Sequence, residues 1–82
     1  MFRVTVEVRL KKGISDPEGR NVVKALHLLG FDEVKEAAMV RVTELTVEGT
    51  SEAEVRRRAE EMCQRLLTNP VIHDYVIRIE GM

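Results

Sequence analysis

The chain has 82 residues, with 13 basic against 14 acidic side chains and a formal net charge of −1, which leaves no large electrostatic term for holding a phosphate backbone. Its aromatics are only Phe2, Phe31 and Tyr75, too few for a base-stacking platform. Cys63 stands alone, so no internal disulfide forms, and Cys63, His27 and His73 lack the spacing of a zinc site.

Residues 2–10 alternate without a break. Phe2, Val4, Val6, Val8 and Leu10 face one way, and Arg3, Thr5, Glu7 and Arg9 the other. Period two over nine residues predicts a strand with one buried face. After a loop at 11–15, Asp16 reads as a helix N-cap with Pro17 at the first helical position and Glu18 near the positive helix end. Val22, Leu26 and Leu29 then form one helical stripe, widened by Val23 and Ala25, and Gly30 supplies a left-handed stop. Gly19 inside the first turn costs up to about 1 kcal/mol relative to Ala. It marks close packing or a loosely formed first turn, or else the close approach of a partner's backbone.

Residues 31–48 read as two further strands, the second carried by the alternation of Thr43 to Glu48. No Gly, Pro, Asn or Asp marks a turn between Ala37 and Val42. The segment is therefore either a hairpin of unusual residues near Met39–Arg41, which we expect, or one long bent strand. Ser51 with Glu54 is a capping-box signature that opens a second helix. Val55, Ala59, Met62, Cys63, Leu66 and Leu67 supply its apolar stripe. Arg56, Arg57 and Arg58 are read as a solvated face, because Glu52 and Glu54 precede Arg56 and Arg58 by four residues. Pro70 ends this helix at Thr68-Asn69, and residues 71–80 form the last strand, with Tyr75, Ile77 and Ile79 on one face.

The order strand–helix–strand–strand–helix–strand predicts a single α+β domain over residues 1–82. The expected arrangement is ferredoxin-like, β-α-β-β-α-β, with a four-stranded antiparallel sheet, both helices on one face and the other face open. Chains of this size bury only about 60% of their unfolded surface, so a partner subunit is the expected source of further stability. The N-terminus alternates instead of forming an apolar run, and no stretch approaches the about 20 apolar residues of a membrane span; the chain reads as cytoplasmic.

No residue set points to catalysis. Cys63 lies on an apolar stripe and reads as a small buried hydrophobe. His73 and Asp74 are adjacent in a strand, so they point to opposite faces and make a poor dyad. His27 reads as a helix-flank residue, and no phosphate-cradling glycine motif occurs. A binding or interaction module is the expected class.

Three segments carry a resemblance: Leu10 to Arg20 (L-K-K-G-I-S-D-P-E-G-R), Ala25 to Val34 (A-L-H-L-L-G-F-D-E-V) and Met62 to Tyr75 (M-C-Q-R-L-L-T-N-P-V-I-H-D-Y). In order and at this spacing, they resemble the PurS-type small subunit of phosphoribosylformylglycinamidine (FGAM) synthase. The chain departs from that pattern at the central turn, where Val40 stands in place of the expected glycine and Arg41 in place of a lysine. The resemblance implies a non-catalytic subunit of purine biosynthesis that works as a homodimer or homotetramer. It would join a PurQ-type glutaminase to a PurL-type ATP-dependent synthase and support ammonia transfer. It implies no cofactor on this chain, with ATP and magnesium on the synthase subunit, and neither nucleic acid nor membrane as partner. Asp16, Pro17, Gly19, Asn69, Pro70 and Tyr75 are the matched residues expected to fix turns or touch partners. The alternative is a small-ligand-binding regulatory module of the same, ACT-like fold.

Overall fold

The computed structural model describes residues 1–82 and contains three strands and two helices. They are β1 (Phe2–Leu10), α1 (Pro17–Leu28), β2 (Arg41–Val47), α2 (Glu52–Met62) and β3 (His73–Gly81). A π-helical turn, Cys63–Leu67, continues α2. The alternating first strand lies in the middle of an antiparallel sheet of order β2-β1-β3. Val4 is opposite Leu45 on one side and Ile79 on the other, and Val6 is opposite Thr43 and Ile77.

The core is small. Val4, Val6 and Val8 of β1 meet Val55, Ala59 and Cys63, which recur every four residues along one face of α2 and the π turn. These six side chains are the buried hydrophobics of the whole chain. Ser51 caps α2 by accepting from the Glu54 N–H at 3.2 Å. The Glu54 carboxylate receives the Thr50 hydroxyl, so only half of the expected capping box forms. The Arg56–Glu52 pair spans 4.0 Å, while Arg58 pairs forward to Glu61 at 2.9 Å.

In the π turn, the Thr68 N–H donates to the Cys63 carbonyl at 3.0 Å and the Thr68 hydroxyl joins it at 2.9 Å. The extra residue per turn rotates Leu66 off the apolar stripe. Leu66 is 83% exposed, whereas Leu67 packs on the core.

Two expectations about the sheet are corrected. The sheet has three strands, not four, and no hairpin forms near Met39–Arg41. Residues 35–40 make no ladder, because their neighbourhood is spent on α1. The Phe31 N–H bonds to the Leu26 carbonyl, the Val34 carbonyl to His27, and the Met39 N–H to Asp16. Nor do both helices cover one face of the sheet. α2 packs over β1 and β3, while α1 makes no substantial contact with any strand or with α2. Residues 17–40 instead form an arm, with α1 leading out and an extended return, that gives the molecule extents of 51 × 27 × 14 Å. The last strand begins at His73, two residues later than expected. No helix is long and apolar enough to cross a membrane.

The far side of the sheet carries charge. Glu7 at its centre lies 3.3 Å from Arg9 and 3.7 Å from Arg78, and Arg3 lies 4.0 Å from Glu44.

With so few buried side chains, each carries a large share of the stability. Val55→Ala, at a site 1% exposed, is expected to lower the unfolding free energy by about 2 kcal/mol. A urea titration read by circular dichroism checks this.

Candidate functional site

The six sequence-derived candidates fall into two groups, at the neck of the arm and at the turn into β3. At the neck, Asp16 caps α1 by accepting the Gly19 N–H at 2.9 Å with one carboxylate oxygen. Its other oxygen accepts the Met39 N–H at 3.1 Å, 23 residues along the chain. One side chain thus ties the outgoing and returning halves of the arm together. Both donors favour the ionised form, so the Asp16 carboxyl is held below the usual carboxylate range by the Gly19 amide first and the Met39 amide second. Pro17 sits at the first helical position, where a missing N–H costs nothing. Gly19 is buried, and a Cβ there would run into the Ala37 carbonyl oxygen and the Asp16 carboxylate. The neighbour found at Gly19 is this chain's own returning segment, at Ala37.

At the turn, Asn69 organises its surroundings through its side-chain oxygen and both backbone groups. Its side-chain oxygen accepts the Val71 N–H at 3.0 Å, and its carbonyl accepts the N–H groups of Ile72 and His73. Its own N–H donates to His73 Nδ1 at 2.9 Å, which assigns the neutral ring's proton to Nε2. The turn is fastened to β1 by the Lys11 N–H donating to the Ile72 carbonyl at 2.8 Å. Pro70 is exposed at its tip.

Tyr75 is on the core face of β3 and reaches α2. Its hydroxyl donates to Glu60 at 2.7 Å and accepts from the Gln64 amide at 2.8 Å. The Glu60 carboxylate favours the protonated phenol and raises its pKa. Glu60 and Gln64 were not singled out in the sequence. Their spacing of four residues places both on one helix face, but only the strand's position shows that Tyr75 stands between them.

The neck and the turn lie at the same end of the sheet and flank a cleft of about 470 Å³ whose lining includes Val8, Leu10, Asp16, Met39, Arg41 and His73. Its groups do not assemble chemistry. Both Asp16 oxygens are occupied by amides, and His73 Nδ1 by Asn69. The histidines lie apart, with His27 bonded to the Val34 carbonyl at 2.7 Å. Cys63 is fully buried, and that burial, with Glu60 nearby, pushes its thiol pKa up and away from nucleophilic use. His73 and Asp74 project to opposite faces of β3, as adjacent strand residues do. No group of three or more His, Cys, Asp or Glu side chains is placed to hold a metal ion.

By its fold the chain is a small α+β domain with a thin core and a projecting helical arm. Residues 3–81 match the family described as PurS, phosphoribosylformylglycinamidine (FGAM) synthase. The chain is 48% identical over 80 residues to the synthase subunit PurS of Methanocaldococcus jannaschii, covering 98% of this chain and 96% of that one. The crystal structure of the Methanocaldococcus jannaschii PurS superposes with a TM-score of 0.93 at 45% identity, covering 100% of this chain and 99% of that one. A chain in the structure of PurLQS from Thermotoga maritima shares the fold at 24% identity, with a TM-score of 0.88 and 96% of each chain covered. The chain belongs to the PurS family, the small subunit of FGAM synthase in purine biosynthesis.

The neck supplies a pH-dependent test. A carboxyl whose pKa is depressed by folding contributes stability above its unfolded pKa of about 3.9, and loses it as pH falls through the lower folded value. Asp16→Asn is expected to melt several degrees below the parent near neutral pH, with the gap closing as pH falls below about 4. Thermal unfolding across that range checks it; a gap that widens on acidification would contradict the assignment.

Proposed function

We propose that this chain is the non-catalytic assembly subunit of its FGAM synthase, holding a PurQ-type glutaminase and a PurL-type ATP-dependent synthase together so that ammonia passes between them. The observation that carries this reading is the arm: a twelve-residue helix that makes no substantial contact with any strand or with α2, and exposes Val22, Leu28 and Leu29 to solvent. A monomer gains nothing from such surface, whereas an assembly subunit needs it. The structure of PurLQS from Thermotoga maritima, which includes a chain of this fold, supports the same partners.

In this reading the chain acts as a homodimer or a pair of dimers and binds no cofactor itself. ATP and magnesium belong to the synthase subunit, and the work takes place in the cytoplasm. Asp16, Pro17 and Gly19 aim the arm. Asn69 and Pro70 shape a turn that presents Leu66 and Val71, 83% and 79% exposed, to a partner. Tyr75 holds α2 and its π turn in place behind them.

Two experiments test this. Glutamine-dependent amidation of formylglycinamide ribonucleotide by the PurL-type and PurQ-type subunits is expected only when this chain is added, while amidation from free ammonia proceeds without it. Equal glutamine-dependent rates with and without the chain would end the proposal. Asn69→Ala removes one side-chain hydrogen bond, so a loss of about 1 kcal/mol in urea unfolding is expected. Retained folding with lost co-elution of the two partners would assign Asn69 itself to the contact; retained co-elution would leave it a turn residue.

A further inference from the structure

We propose that the turn into β3 is a proton-sensitive latch, closed by the neutral ring of His73 and released when that ring takes up a proton, while the arm stays fastened. The device needs no partner, and its test is independent of the assembly reading above.

The chain has two histidines, and the structure uses them in opposite ways. His27 reaches the Val34 carbonyl through Nε2 at 2.7 Å. A carbonyl only accepts, so that nitrogen carries a proton. A second proton on the ring leaves the bond in place, with a charged donor. His73 does the reverse. The Asn69 N–H donates to its Nδ1 at 2.9 Å, and an amide donor needs a bare lone pair. Protonating Nδ1 sets two N–H groups against each other, and the bond is lost.

The lost bond is the one that runs forward through the turn. The Ile72 and His73 N–H groups return to the Asn69 carbonyl, and the Val71 N–H returns to its side-chain oxygen. Only the Asn69 N–H points the other way, tying the chain just past the π turn to the first residue of β3. Without it, the segment carrying exposed Pro70 and Val71 is held from one end.

An imidazole exchanges its proton in the range between about pH 5 and pH 8. Leu10 stands opposite His73 on β1, and Asp74 projects to the other face of β3. Arg9 of β1, Asp16 and Glu18 of the neck and Arg41 of β2 line the same cleft as His73. Lys11 is fastened to the turn through its backbone N–H. Carboxylates and guanidiniums keep their charge across that range, and the cleft holds two of each. The Asn69 bond therefore decides the outcome. Because the folded turn uses the neutral ring, this contribution is present at the upper end of the range and lost as pH falls. Asp16 releases its amides only in stronger acid, so the turn opens first and the neck last.

Nitrogen-15 NMR of the unmodified chain tests this. At about pH 7.5 the His73 ring is expected to carry its proton on Nε2, with Nδ1 bare. As the pH falls toward about 5, the Asn69 amide proton resonance is expected to move upfield along the same curve as the His73 ring. His27→Gln is expected to leave that response unchanged, and His73→Gln to abolish it. A proton on Nδ1 at the upper pH, an Asn69 amide that stays put, or a response that survives His73→Gln would overturn the latch. The ring measurement needs no substitution, so it decides the matter even where His73→Gln does not fold.

Discussion

The carboxylate of Asp16 is the interaction on which the shape of this molecule turns. By accepting the amides of Gly19 and Met39 at once, it starts α1 and pins the returning segment beside that start. Gly19 is part of the same device, because any side chain there would push the Ala37 carbonyl away and open the neck. The result is a helix aimed outward, detached from the sheet that would otherwise receive it. What the sheet keeps is a six-residue core, enough to order three strands and one helix but thin by the standard of a self-sufficient domain. Family membership and this thinness agree: the protein works as a component.

Elements with strong local signals were legible from the sequence. β1 follows from unbroken alternation, and the ends of α1 from Asp16-Pro17 and Gly30, whose φ of 97° only glycine adopts readily. The start of α2 follows from Ser51. The expected fourth strand has little local support. Val34 is the one β-branched residue of 31–38, and Lys35, Glu36, Ala37 and Ala38 show no alternation. The backbone just after them is claimed by a carboxylate 23 residues upstream, through the Met39 N–H. No local pattern announces a partner at that distance.

The candidate site was legible in its residues and not in its arrangement. Cap and turn chemistry marks Asp16 and Asn69 in the sequence, and its cost inside a helix marks Gly19; Asp16 and Asn69 accept backbone amides, and Gly19 lies against the Ala37 carbonyl. That the neck and the Asn69 turn share one end of the sheet, around one cleft, comes from β1 and β3 running antiparallel with Leu10 opposite His73. The helix stripe was right for Val55, Ala59 and Cys63 and wrong for Leu66, because a π turn changes the angular step and no residue type in C-Q-R-L-L signals it.

That turn also decides what the end of α2 gives away. With the Thr68 N–H and hydroxyl both closing on the Cys63 carbonyl, the last turn is wider than an α turn and keeps Leu67 on the core while Leu66 faces solvent. A core of six side chains thereby forgoes a large one, and the surface gains it.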